Sequence, residues 1–350
     1  MGEARTQQGI GSREERNLGF DVLNVLSCLA VIALHHNSLV HSFNRTPGWI
    51  QSLVVECLCY CGVPIFLMIS GATLMKYRDK YDTVTFFKKR IMRVGIPWFF
   101  WSIFYLIWKL ETGQMTMEPF SIRIVFDQIF NFKVLDIFWY FGTLFACYFS
   151  LPVVSLLQEH RKILWYIVLL NFFFLSFLPA LRTWLGFSWG LDVPEVGSLI
   201  IFMILGYLLT TGELEKWQCI LLYIAGFLCV AFRFGYTLYF SYLRGVTDTS
   251  IKSYSYFHAV IYAAAVFVLG CRIHWEKILP AWLKSRMAGL SACSFGIYLI
   301  HWAVMYYERQ WLALDNNWVW RSVCILLTYF ISLLIVALLR KIPILRRLVG

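Results

Sequence analysis

Residues 20–40, F-D-V-L-N-V-L-S-C-L-A-V-I-A-L-H-H-N-S-L-V, constrain the fold more than any other stretch of the chain. The run is long enough to cross a bilayer, which takes roughly 20 mostly apolar residues. Yet it carries Asp21, Asn24, His35 and His36, and ionisable groups inside a span are costly and lean towards function. At about 100° per residue, Asn24 and His35 fall within roughly 20° of one helical face, with Asp21 about 40° to the other side of His35. The rise from Asp21 to His35 is roughly 21 Å, most of the hydrocarbon thickness. A polar stripe of that length predicts a helix lining a protein interior or a watery path, not one facing lipid. His35 and His36 point about 100° apart, so only one of them shares the stripe.

Composition extends this reading to the whole chain. Apolar residues make up 59% and charged residues only 15%, against about half and about a quarter in a soluble domain. The aromatic share of 18% suits interfacial belts. The expected fold class is therefore all-α, a polytopic integral membrane protein. In a soluble chain the net charge of +11 would point to nucleic acid; here topology accounts for it and no nucleic-acid partner is expected. Cys57 and Cys61 share a helical face while Cys59 points away, and the other cysteines lie singly in apolar runs. Neither a metal site nor a disulfide framework is expected.

Residues 1–16 read as a disordered cytosolic tail, and 17–345 as a single transmembrane domain. Arg13 and Arg16 before the first apolar run resemble the charged region of a signal peptide. The run is too long for one, however, and no small-residue cleavage site follows, so it is expected to stay attached. Further spans are expected near 53–75, 94–110, 137–157, 163–181, 196–211, 217–240, 257–271, 290–307 and 319–339, about ten in all. In the second, Pro64 predicts a kink and Ser70-Gly71 close backbone packing. Residues 111–136 read as an interfacial segment or a cap over a pocket. With the N-terminus in the cytosol, the cytosolic segments hold 21 of the 31 basic residues. That bias favours an even number of spans with both termini inside.

This topology puts His35 towards the outer end of the first span. Glu56 returns from the same side and is a candidate partner for orienting His35 or exchanging a proton with it. Ser294, Tyr298 and His301 are spaced by four and three, share a face, and sit at the outer side as well. Plainer readings are packing histidines bonded to neighbouring helices and an interfacial glutamate. Arg90 and Arg93, one turn apart and preceded by Lys88 and Lys89, lie at the cytosolic mouth of the third span. Their guanidinium groups suit phosphate recognition, as they suit anionic lipid headgroups. No Walker-type loop, dinucleotide glycine motif, nucleophile elbow or zinc signature is present.

Several of these segments recur in one order. They are R-N-x-x-x-D-x-L with A-x-x-x-x-H (16–35), V-P-I-F-L-M-I-S-G, F-F-K-K-R-I-M-R-V-G-I-P-W, F-W-Y-F (138–141), L-G-Y-L-L (205–209) and S-F-G-I-Y-L-I-H (294–301). Together they resemble the acyltransferase 3 family of bacterial membrane O-acyltransferases over nearly the whole chain. The resemblance implies about ten spans in a bacterial cytoplasmic membrane. It also implies an acyl group, commonly acetyl, taken from cytosolic acetyl-CoA, and a sugar hydroxyl of a surface or lipid-linked glycan as acceptor. The family's first-helix histidine matches His35, its helix-3 arginines match Arg90 and Arg93, and its late-helix histidine matches His301.

On this reading His35, Glu56 and His301 are the catalytic candidates, and Arg90, Arg93 and Lys89 hold the donor. Asp21, Asn24, Trp139, Tyr140, Ser294 and Tyr298 are the candidate substrate contacts. One position departs from the family pattern: Asn24 stands where an arginine is usual, and an amide brings no fixed charge to a donor. Either another basic group such as Arg16 substitutes, or the donor is handled differently, or the chain is not an active transferase. Two other classes of function fit the same residues. One is a proton-coupled transporter or flippase using His35, Glu56 and Asp21 as a relay; the other is a membrane-embedded sensing or binding domain.

Overall fold

In the computed structural model, residues 17–116, 121–186, 199–314 and 317–350 are described. The expected tail at 1–16 lies outside them, as does the start of the span expected at 196–211. Every regular element among the described residues is helical. In chain order they are α1 (Leu18–His35), α2 (Pro47–Cys59), α3 (Gly62–Leu74), α4 (Thr83–Arg90), α5 (Ile96–Glu111), α6 (Ile122–Phe130), α7 (Trp139–Val154) and α8 (Arg161–Asn171). These are followed by α9 (Leu178–Leu185), α10 (Ile200–Thr211), α11 (Lys216–Arg244), α12 (Phe257–Arg272), α13 (Trp275–Ile278), α14 (Ala281–Leu312), α15 (Val323–Leu339) and α16 (Pro343–Arg346). Seven helical segments among the described residues are long and apolar enough to cross a membrane. Three shorter apolar helices, α10, α12 and α15, coincide with the other expected spans.

The helix starts follow local chemistry. Asn17 caps α1 by accepting the Phe20 N–H at 3.2 Å. Thr46 caps α2 with Pro47 at the first position, and Asp82 caps α4 by accepting the Thr85 N–H at 2.9 Å. Each cap satisfies a backbone donor that the first turn leaves open. The Asp82 hydrogen bonds to the Thr85 side chain and backbone hold its carboxyl below the ordinary aspartate range.

At the kink expected from Pro64 the helix is interrupted over Tyr60 and Cys61, which keep right-handed helical dihedrals, so Pro47–Asp79 remains one span. α2 ends at Cys59, and α3 restarts at Gly62 with Pro64 in its first turn. A proline lacks the N–H for the bond to residue i−4 and its ring clashes with that carbonyl, so restarting the helix puts it where neither matters. Past the interruption, Gly71 does what the Ser70-Gly71 pair predicts. A Cβ there would lie 1.9 Å from the Met203 carbonyl oxygen, and one at Gly206 would lie 2.0 Å from that of Met68. The backbones of α3 and α10 therefore touch, which only small residues permit.

α1 is the hub of the bundle, packing against α14, α3, α12, α2 and α15. The outer helices show the opposite pattern. On α15, Val323, Leu327, Phe330, Leu334 and Leu338 are exposed at three- and four-residue spacing, and α11 exposes Ile220, Ile224, Phe227 and Leu228. A continuous apolar face of this kind suits lipid rather than water.

Candidate active site

α1 and α14 run parallel and meet along one seam. The Asn24 amide donates to the Ser291 carbonyl and hydroxyl oxygens, both at 2.9 Å, Cys28 lies 3.9 Å from the Ser294 carbonyl, and His35 meets His301. Residues 24, 28 and 35 thus pair with 291, 294 and 301, steps of four then seven on one helix and three then seven on the other, which keep one stripe on each helix facing the other. The polar stripe of the first span is therefore the face that docks on α14. His36 points elsewhere, bonding the Thr328 hydroxyl at 2.8 Å, while Thr328 in turn donates to the Glu308 carboxylate.

The two histidines form a directed pair. His301 Nδ1 lies 2.7 Å from the Tyr298 carbonyl oxygen and 3.2 Å from that of Ile297. Carbonyl oxygens only accept, so Nδ1 carries the hydrogen and the Nε2 of a neutral His301 is a bare acceptor. His35 Nδ1, 2.9 Å away, must then donate to it, which leaves the lone pair of His35 on Nε2. The tautomers follow from this network of acceptors. The rings stack at 5.1 Å, and the edge of Trp302 closes on His35 at 5.7 Å. His301 is fully buried and His35 only partly so. Of the two imidazoles, His35 is the one left free to take a proton from an incoming group.

A cavity of about 400 Å³ runs beneath this pair, lined by Asn24, Arg90, Arg93, Tyr140, Ser294 and Tyr298, among others. It reaches Val31 and Tyr298, each one turn short of its histidine. Ser294 Oγ is buried without a partner among the described residues, so the cavity holds an unused hydroxyl. The Tyr298 hydroxyl is committed, donating to the Ile137 carbonyl at 2.6 Å, and the Tyr140 ring meets that of Tyr298 edge-on at 5.7 Å. At the other end, α4 passes into a π-helical turn at Ile91–Gly95 before α5 begins. Such turns recur at functional sites. Arg90 precedes this one and Arg93 lies within it; Arg90 packs 5.7 Å from the rings of both Phe86 and Tyr148.

Of the residues singled out from sequence, Asn24, Arg90, Arg93, Tyr140, Ser294 and Tyr298 line this cavity and His35 and His301 stand above it. Four are placed elsewhere. Glu56 is not paired with His35. It is buried against Arg233 at 3.5 Å and Lys252 at 3.1 Å, and the Arg233 guanidinium lies 3.6 Å over the Tyr60 ring. The reason is electrostatic: a buried carboxylate settles beside cations, and α11 presents one at its depth. Lys89 sits 3.6 Å over the Tyr81 ring and Trp139 stacks on Tyr254 at 5.4 Å, neither lining the cavity. Asp21 is buried near the start of α1, also outside the cavity lining.

Sequence reasoning missed Ser70, Thr73, Tyr148 and Ser291 in the lining, and it missed Arg233. The signal for Arg233 was available, since a lone arginine in the apolar run F-L-C-V-A-F-R-F-G is as unusual as a lone histidine. Nothing in the spacing of Ser70 and Thr73 sets them apart from ordinary helix-packing hydroxyls.

The bundle thus holds a parallel histidine seam over a cavity with arginines at its far end. A family model described as an acyltransferase domain matches residues 17–339, nearly the whole chain, and the chain belongs to that acyltransferase 3 family. No curated protein and no solved structure matches it. The protein is thus a membrane acyltransferase by family and by its helices.

Proposed function

We propose that this acyltransferase is an O-acetyltransferase of a bacterial cytoplasmic membrane. It takes acetyl from cytosolic acetyl-CoA and delivers it to a sugar hydroxyl of a surface polysaccharide or lipid-linked glycan. The chain crosses the membrane ten times with both termini in the cytosol. The long apolar helices, the three shorter ones and the cytosolic bias of basic residues support this arrangement. Arg90 and Arg93 then face the compartment that holds the donor, and the histidine pair faces the other side.

The observation that carries the proposal is the His35–His301 pair with its proton positions fixed from the backbone. His35 Nε2 takes the proton of the acceptor hydroxyl as its oxygen attacks the thioester carbonyl. The tetrahedral intermediate collapses by breaking the carbon–sulfur bond, and the departing thiolate takes the proton back from His35. One C–O bond forms, one C–S bond breaks, and His35 ends as it began. His301 accepts the His35 Nδ1 hydrogen bond throughout and holds the ring in the base tautomer. The pantetheine arm lies in the cavity between α1, α3, α7 and α14, with Ser294 and Tyr140 along its path. Asn24 anchors α14 through Ser291 at a position where the family usually has a charge.

The transporter alternative needed Glu56, His35 and Asp21 to act as one relay. Glu56 is matched instead by Arg233 and Lys252, which favours the transferase. The test uses membranes from cells expressing the wild type or His35→Ala, supplied with radiolabelled acetyl-CoA. Label is expected in surface-glycan or lipid-linked fractions with wild type and not with the variant. Equal labelling by both would remove His35 from the mechanism, and no protein-dependent label would overturn the assignment of acetyl-CoA as donor and a glycan as acceptor.

A further inference from the structure

The segment after α15 carries Arg340, Lys341, Arg346 and Arg347, which as sequence are no more than a cytosolic charge signal. In the fold they do something specific. Together with Arg93 they line a basin of about 560 Å³ that has no acidic residue in its wall among the described residues. The basin shares Arg93, Ala292 and Gly350 with the internal cavity that reaches Tyr298, so the two adjoin at those residues and would make one path for a bound ligand. Lys341, Arg346 and Arg347 join none of the ion pairs among the described residues.

The segment is also pinned in place. Trp101 Nε1 donates to the Leu348 carbonyl at 2.8 Å, and Val349 is fully buried. On α14, Gly296 has no side chain to obstruct it; a Cβ there would lie 2.8 Å from the Val349 carbonyl oxygen. A charge that only sets topology needs no such docking. Here buried contacts with α5 and α14 hold four cations over the cytosolic end of the path.

We propose that this basin, built from Arg340, Lys341, Arg346, Arg347 and Arg93, binds the nucleotide phosphates of the thioester donor. The proposal rests on the transferase reading above and names the residues that hold the donor's charged end. Like charges gathered around one opening repel until a polyanion neutralises them, and guanidinium groups bind phosphate oxygens through paired N–H donors. A lipid headgroup offers the same phosphate chemistry. The adjoining internal cavity favours a ligand that has both a phosphate end and a long arm.

The experiment uses full-length protein in neutral phosphatidylcholine nanodiscs, comparing wild type with Arg346→Gln/Arg347→Gln and with Lys341→Gln. Binding of CoA and of 3′-dephospho-CoA is measured by calorimetry, alongside KM and kcat for acetyl-CoA. CoA binding is expected to weaken about tenfold or more in the double variant. Dephospho-CoA binding should change far less, and KM should rise with kcat kept. The Arg346→Lys/Arg347→Lys variant should keep part of the affinity, separating charge from folding. Unchanged CoA binding with normal transfer would overturn this inference alone. So would variants that, in a parallel set of nanodiscs containing phosphatidylglycerol, lose enrichment of that lipid while keeping CoA binding, since the basin would then be a lipid site. A wild type that neither binds CoA nor turns over acetyl-CoA would overturn the transferase reading and this inference with it.

Discussion

Replacing His301 is the sharpest test of the histidine pair, because its proposed role is indirect. Its Nδ1 is tied to the Tyr298 carbonyl at 2.7 Å and its Nε2 receives His35 Nδ1 at 2.9 Å. His301→Ala removes the acceptor and leaves the His35 donor unpaired in a closed site. Such a loss costs about 1–3 kcal/mol, which corresponds to a fall in kcat of roughly 5- to 150-fold if His35 must hold this tautomer to react. His35→Ala removes the base itself and should cost about 10²- to 10⁴-fold. The two residues act as one unit, so the double variant should be no worse than His35→Ala. His301→Gln offers a carbonyl oxygen in reach of His35 Nδ1 and should recover much of the loss. The assay is single-turnover acetyl transfer in nanodiscs, with thermal melting to confirm that each variant folds. Wild-type kcat in His301→Ala, losses that multiply in the double variant, or a glutamine no better than alanine would each refute the directed pair.

Other consequences concern stability and the donor end. Gly71→Ala places a Cβ 1.9 Å from the Met203 oxygen, so α3 and α10 must part; a loss of about 1–3 kcal/mol is expected in unfolding, and Gly206→Ala should add less than its own full cost. Glu56→Ala leaves Arg233 buried without its carboxylate and should cost about 3–5 kcal/mol; Arg233→Met in the same chain should restore most of the melting temperature. Asn24→Ala removes the amide that donates to Ser291, and a loss of about 0.6 kcal/mol is expected, as for hydrogen bonds between helices in membranes. The Asp82 carboxyl titrates below its unfolded value because it bonds Thr85, so its support for α4 is present above the unfolded value and is lost as pH falls through the folded one. Asp82→Ala should therefore raise the donor KM at neutral pH and flatten any acid-side rise of KM in the wild type.

How much of this was readable in the sequence depended on whether a residue's role was set along its own helix or across helices. Polar positions at helical spacing gave the stripe of α1 and the face of Ser294, Tyr298 and His301 directly, since periodicity is local. Their meeting was not readable, because it requires α1 and α14 to be neighbours, parallel and level, and no spacing encodes that for helices 266 residues apart. Glu56 shows the converse. Depth alone points it to His35, whereas a buried carboxylate settles beside cations, here Lys252 and the buried Arg233, a lone arginine in the apolar run of α11. Pro64 marks a disruption in the sequence, and the helix is interrupted four residues before it, at Tyr60–Cys61, where the missing N–H and the ring would otherwise disturb the preceding turn.

The seam between α1 and α14 also fixes how deep the histidine pair sits along the two helices. Asn24 with Ser291 fixes the register near one end, and His35 with His301 fixes it near the other. A slip of one residue on either helix would rotate the stripe by about 100° and break both contacts together. The distance between the two contacts is then set by helix rise, roughly 16 Å from Asn24 to His35. Loop changes on the outer face should therefore alter which acceptor enters without moving His35. Changes along the seam should impair transfer to every acceptor alike, and comparing the two classes of variant against a panel of acceptor sugars separates recognition from chemistry.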